Sequence, residues 1–328
     1  MTAAGNGHSA PVSVLLGLTG GLGLLTVAAT LGALFGFLWW PLDLLTSFHP
    51  VYAVLLAAVG ASHLLLRSRA TGVWLLAAAV VNASIVAPHL FAGGLHREAP
   101  DPHLTVMAFN VGVSNPMRRE VAEYVAGEGP DLLFVLESSF EWEAALQRWG
   151  PPMASLAVVP GGWVAGITVL ADPALGARAI PFGFSAAPGE AAAVEVTLDG
   201  RRVVVLGLHP PSPTGGDRAG RRDRILRDAG DWVASLDVPV LVVGDLNATP
   251  WSSAFRELRH RGRLLDTSRA SGLQVTWPEG WGPLMIPIDH ALHTWGLVAV
   301  DRRIGPSLGS LHRPVVVTVA PDRAHGER

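Results

Sequence analysis

From Ser9 to Pro41 the chain carries no charged side chain, and up to Gly94 its only charges are Asp43, Arg67 and Arg69. Three apolar runs fill this region, Val12–Leu34, Val51–Leu66 and Gly72–Phe91. Crossing a bilayer as a helix takes roughly 20 apolar residues. The first and third runs meet that length, and the second does so by borrowing His49 and Pro50. The alternative is a buried helical hairpin of a soluble protein. A cleaved signal would begin with basic residues and a short core. "MTAAGNGHSAP" has no Lys or Arg and the first run is too long, so the segment reads as an anchor.

The short loop "LRSRAT" between the second and third runs holds Arg67 and Arg69, whereas "WWPLDLLTSFHP" has no basic residue. Arginine-bearing short loops stay in the cytoplasm, and Trp39 and Trp40 suit a membrane interface. The expectation is a multi-pass plasma-membrane protein whose N-terminus is inside and whose remaining chain is extracytoplasmic. Arg97 counts slightly against that orientation. The absence of cysteine is compatible with export.

Gly, Pro and charge arrive together at "GGLHREAPDPH". We therefore divide the chain into an anchor (1–94), a linker (95–103) and a polar domain (104–328). From Leu95 on there are 26 acidic residues against 22 arginines, with no lysine. A net-acidic domain lacks the broad basic footprint of a protein that grips duplex DNA, so no nucleic-acid partner is expected.

The polar domain alternates. "HLTVMAFN", "DLLFVLES", "RRVVVLGLHPP", "VPVLVVGDLN", "MIPIDHALHT" and "RPVVVTVA" read as strands. "RREVAEYVAGEG", "EWEAALQRW", "DRAGRRDRILRDAGDWVASL" and "SAFRELRHRG" read as helices. "SLAVVP", "VAGITVLA" and "AAAVEVTL" add strands, the last ending in an Asp199-Gly200 turn. This pattern predicts a layered α/β domain with mixed sheets.

Polar residues sit where the apolar strands end: Asn110, Glu137, His209, Asp245, Asn247, Asp289 and His312. Loops at strand ends of an α/β sheet share a face and bind ligands. Each residue alone has a structural explanation, such as a helix cap for Glu137; their repeated placement does not. In "VVGDLNATPWS", Asp245 and Asn247 project on one side and pair an acceptor with a donor, able to orient a water and hold an oxyanion. An Asx turn ahead of a helix near Ser252 is the alternative. Asp289, flanked by apolar residues, needs a partner. His312 is the best candidate, because an Asp–His pair fixes the imidazole tautomer and raises its basicity.

The ordered set "FN", "LES", "GLHPPSP", "GDLNATPW", "PIDHAL" and "GSLHRPV" resembles the endonuclease/exonuclease/phosphatase superfamily over nearly all of Leu104–Val319. The resemblance implies a four-layer α/β sandwich, two mixed sheets flanked by helices, and a phosphoesterase that needs Mg²⁺ or Mn²⁺. It implies Glu137 as principal metal ligand with Asn110 beside it. Asp245 would activate the water, Asn247 bind phosphate, His209 stabilise the phosphoryl group, and His312 serve as second catalytic histidine oriented by Asp289. Hard oxygen ligands suit such a cation. One letter departs from the pattern. Leu311 stands where the family usually has Asp at the metal site, although Mg²⁺ can be held by one or two carboxylates.

With its anchor, the chain resembles the membrane-bound, VanJ-type actinomycete proteins linked to glycopeptide (teicoplanin) resistance. That resemblance implies hydrolysis of a lipid pyrophosphate of wall synthesis, undecaprenyl pyrophosphate. Tethering keeps a membrane-borne substrate at high local concentration. Trp251, Trp277 and Trp281 are candidates to meet a lipid chain or the bilayer, with packing at the domain rim as the alternative. Arg221 and Arg222 are weak candidates for a second phosphate, in a run that otherwise reads as a solvated helix face. An exported nuclease and an inactive membrane scaffold are the alternatives.

Overall fold

A computed structural model describes residues 10–66, 68–91, 95, 100–159 and 166–322. Arg67, on which the orientation partly rests, and linker residues 96–99 lie outside them. The chain divides into two compact units, Met1–Pro88 and His89–Arg328. The second thus begins a few residues before the boundary read from composition.

The first unit holds α1 (Ala10–Leu34), α2 (Trp40–Leu45), α3 (His49–Leu65) and α4 (Arg69–Val86). Three stretches, Val12–Leu34, Trp40–Leu65 and Arg69–His89, are long and apolar enough to cross a membrane. The short α2 was not foreseen; it carries Asp43, buried, in its first turn. Small residues let α3 and α4 approach closely: a Cβ on Gly60 would lie 3.1 Å from the Gly72 carbonyl oxygen. Buried Asn82 ties the helices together, donating to Thr30 Oγ1 (3.0 Å) while its Oδ1 lies 2.6 Å from His49 Nδ1.

The second unit runs β1 (Leu104–Asn110), α5 (Arg118–Glu128), β2 (Leu132–Ser138), α6 (Phe140–Trp149), β3 (Ala154–Val159), β4 (Gly166–Ala171), β5 (Arg178–Ile180), β6 (Ala191–Leu198) and β7 (Arg201–Leu208). It continues with α7 (Gly216–Ala234), β8 (Val240–Asp245), α8 (Ser253–Arg261), β9 (Leu265–Asp266), β10 (Asp289–His293), β11 (Leu297–Ile304) and β12 (Val315–Pro321). Two six-stranded mixed sheets form, in the orders β11-β12-β1-β2-β4-β3 and β5-β6-β7-β8-β10-β9. β11 was not expected from the sequence: its apolar half gives way to "DRR", and its register shifts between Ala299 and Asp301. The strand expected from Met285 starts only at Asp289.

Strand alternation builds the layers. In β1, Val106 and Ala108 join Phe134, Val205 and Val243 in the core between the sheets. Met107 and Phe109 face the other way, onto Val121 of α5 and Trp142 of α6. The second sheet packs Leu206 and Val242 outward onto Leu226 of α7 and Leu258 of α8. The result is the four-layer α/β sandwich. The sheets meet so closely at Gly207 that a Cβ there would lie 2.3 Å from the Phe134 ring.

Candidate active site

Topology brings the strand-end residues to one edge. β1 and β2 are parallel, so Asn110 and Glu137 finish together. β7 and β8 are parallel, so His209 and Asp245 do the same. β10 runs antiparallel to β8, which places its first residue, Asp289, opposite Asp245. β12 runs antiparallel to β1, so the chain enters it past His312 at the same edge. Gly244 lets β8 turn here: its φ is +132°, and a Cβ would lie 2.1 Å from the Leu208 carbonyl oxygen.

Asn110 is the hub. Its Nδ2 donates to Glu137 Oε1 (3.1 Å) and Asp245 Oδ2 (3.1 Å) and lies 3.4 Å from His312 Nε2. Its Oδ1 accepts from Gly112 N (3.2 Å), so the amide shows the carboxylates a donor. Glu137 adopts a left-handed φ of +56° at a register shift between Leu136 and Ser138, a conformation that costs energy in a non-glycine residue. It is held by Asn110 and by Val113 N, which donates to Oε2 (3.1 Å).

Asp245 and Asp289 are buried, and His312 joins them. Its Nδ1 lies 3.0 Å from Asp289 Oδ2 and its Nε2 3.7 Å from Asp245 Oδ2. Burial pushes Asp245 up to about 7, aided by the charge of Asp289 and opposed by His312, Asn247 N and Asn110. Burial alone would lower His312, but the Asp289 and Asp245 carboxylates outweigh it and raise it to about 9. For Asp289, burial acts upward, yet the charge and hydrogen bond of His312 bring it below the usual range. His209, whose Nε2 lies 3.8 Å from Asp245 Oδ2 and 3.9 Å from Glu137 Oε1, is lowered by burial to about 4. One histidine is therefore cationic and the other neutral near neutral pH. Diverging ionisation within one cluster assigns acid and base roles.

Asn247, at φ +49°, donates its backbone N–H to Asp245 Oδ1 (2.9 Å) and its Nδ2 to the Pro210 carbonyl oxygen (3.1 Å). The Asx geometry weighed from the sequence is present, while the helix cap belongs to Ser252, whose Oγ accepts from Phe255 N. Arg222 is buried beneath this loop and donates to the Asn247 carbonyl oxygen (3.0 Å), so it supports the site from behind. Arg221 directs its guanidinium at Glu190 (2.6 and 2.9 Å). Trp251 is buried edge-on to the His89 ring at 5.9 Å. The idea that it meets a lipid fails, because its indole offers no exposed face.

The sequence reading missed three supports. Buried Ser310 donates to the Asn110 carbonyl oxygen (2.7 Å) and accepts from His312 N (3.0 Å). Thr276 Oγ1 accepts from Asp289 N (3.2 Å). Arg302, fully buried, donates to the Asp289 carbonyl oxygen (3.3 Å). Only Ser310 left a signal, as part of "GSLH".

The donor set fits a divalent cation. Glu137 and Asp245 aim carboxylate oxygens at a shared point now served by one amide N–H. Among the described residues, Asp245, Asp289 and His312 also offer one ligand atom each within 4.8 Å of one another. Oxygen-rich sites of this kind take hard cations.

The sequence profile of the Endonuclease/Exonuclease/phosphatase family matches residues 107–310. Solved structures share the fold. One is a functionally unknown conserved protein from Enterococcus faecalis V583, 16% identical, with a TM-score of 0.54 over 67% of this chain and 100% of that one. Another is an endonuclease/exonuclease/phosphatase from Bacteroides vulgatus, 16% identical, with a TM-score of 0.53 over 68% and 100%. The human Nocturnin catalytic domain with bound sulfate anion is 16% identical, with a TM-score of 0.53 over 69% and 97%. No curated protein matches the chain in sequence. At these identities the structural likeness is one of fold.

Proposed function

The chain belongs to the endonuclease/exonuclease/phosphatase family, and we propose that it is a membrane-anchored, divalent-metal-dependent phosphoesterase. Members of the family are metal-dependent phosphoesterases. In our reading the active site is extracytoplasmic and the substrate is a lipid pyrophosphate, undecaprenyl pyrophosphate, in a VanJ-type role in glycopeptide resistance.

The observation that carries the hydrolase reading is the convergence of Asn110, Glu137, Asp245, Asp289 and His312 in one hydrogen-bonded, largely buried cluster. Asp245, raised to about 7, takes a proton from a water held beside Asn247. Cationic His312, oriented by Asp289 through Nδ1, presents Nε2 to a phosphoryl oxygen. Neutral His209 lies across from it, beside Asp245 and Glu137. Glu137, with Asn110 beside it, would hold the cation, which would supply Lewis-acid stabilisation of charge on the phosphoryl oxygens.

The anchor supports a membrane-borne substrate through its three apolar helices. The excess of acidic over basic residues from Leu95 on argues against a nuclease. The test is phosphate release from undecaprenyl pyrophosphate by the full chain, with and without Mg²⁺. Wild type should release phosphate only with metal, and Asp245→Ala and His312→Ala should not. Unchanged rates in both variants sink the reading, and matching release of nucleotides from DNA favours a nuclease.

A further inference from the structure

Large exposed apolar side chains stand on the loops that carry the polar groups of the proposed catalytic cluster. Val113 follows Asn110 and donates its backbone N–H to Glu137. Phe140 follows Glu137 at the start of α6, and Leu311 immediately precedes His312. Trp281 and Leu284 stand in the loop closed by the Trp277–Ile286 bridge. Glu279 N in that loop donates to the Leu311 carbonyl oxygen (2.8 Å), so the loop is fastened to the catalytic turn. Trp277 completes the path, its ring 6.3 Å from that of His312.

Val113, Phe140, Trp281, Leu284 and Leu311 are 43–70% exposed. Among the described residues they are half of the exposed large apolar side chains of the second unit. A soluble domain scatters such residues singly, whereas their concentration on the loops of one site marks a binding surface. Arg313, beside this rim, spends its charge on Glu279. The rim therefore offers hydrocarbon contact.

We infer that this rim is a specificity surface: it takes the apolar chain of the phosphate ester whose head group lies at Asp245, His209 and His312. The inference rests on the phosphoesterase reading and adds a role for Leu311. A substrate seated at the cluster must carry its alcohol portion outward across these loops, because the strands close the inner side. Leu311, exposed beside His312, is a side chain that an aqueous head group does not need and a hydrocarbon chain does.

The test compares two substrates of identical head-group chemistry, a long-chain polyprenyl pyrophosphate and a single-isoprene pyrophosphate, hydrolysed by the full chain in lipid nanodiscs with Mg²⁺. Phe140→Ser, Trp281→Ser and Leu311→Ser should each lower the long-to-short ratio of kcat/KM by about tenfold, through KM more than kcat. An unchanged ratio overturns the rim while leaving the phosphoesterase reading in place. Failure of wild type on both substrates overturns that reading instead. Binding of a long-chain polyprenyl phosphate then decides the rim: weaker binding by the triple variant upholds it, and equal binding overturns it.

Discussion

Asp245 and Asp289 face each other directly across the β8–β10 ladder, as register partners at the ends of two buried strands. Two carboxylates so placed cannot both ionise freely in a low-dielectric interior. Their environments divide them. Asp289 holds its charge against His312, whereas Asp245 is raised to about 7.

Replacing Asp245 by Asn keeps its shape and removes the base. Hydrolysis should fall by about 10²–10⁴-fold. The metal-free protein should be no less stable at pH 8, because a buried like-charge contact disappears. Steady-state kinetics and urea titration in chelator check the two halves; a loss of stability as large as that of a core truncation would mean that Asp245 is structural.

Stability of the metal-free protein should fall between pH 6 and pH 10. Raised folded-state values mean that protonated Asp245 and His312 favour the native state. The Asp245 contribution is complete below the ordinary carboxylate value of 3.8 and is lost as pH rises through about 7. The His312 contribution is complete below 6.5 and is lost through about 9. Asp289, Asp245, Glu137 and His209 are the ionisable groups around His312. Urea midpoints in EDTA should drop from pH 6 to pH 10, and His312→Gln should flatten the upper part of that drop.

Chelation should abolish turnover, and Mn²⁺ should raise Tm. Glu137→Gln should weaken Mn²⁺ binding by about tenfold or more. Leu311→Asp should change it by only a few-fold, because the position is 57% exposed and an exposed carboxylate is screened by water. Calorimetric Mn²⁺ titration measures both, and a large gain from Leu311→Asp would show that the site lacks a ligand there.

Ser310→Ala should leave the Asn110 carbonyl oxygen and His312 N without their partner. The expected cost is about 1–3 kcal/mol of stability, with a fall in kcat as the His312 turn loosens. Urea denaturation alongside kcat and KM checks this. A variant with unchanged kcat would confine Ser310 to a structural role.

Much was legible because it depends on local order. The uncharged run before Pro41 marks α1, and apolar strands capped by Asn110, Glu137, His209 and Asp245 mark an edge where polar groups gather. β11 was hidden because its second half is charged: Asp301 and Arg303 pair with each other at 2.7 Å, and Arg303 also bonds Glu128. Trp251 and Arg222 looked available beside the motifs, yet both are buried.

By itself the sequence determined three apolar runs long enough to cross a membrane, the alternating α/β pattern and the residues that end the strands. These follow from hydropathy period and residue chemistry, which are properties of the chain in order. Only the tertiary structure decided how those residues meet. Strand direction put Asp289 opposite Asp245, and the turn at Ser310 placed His312 between them. Burial then divided the ionisation of Asp245, His209 and His312, since pKa depends on surroundings that residues distant in sequence supply together. The same assembly left Leu311 exposed beside His312.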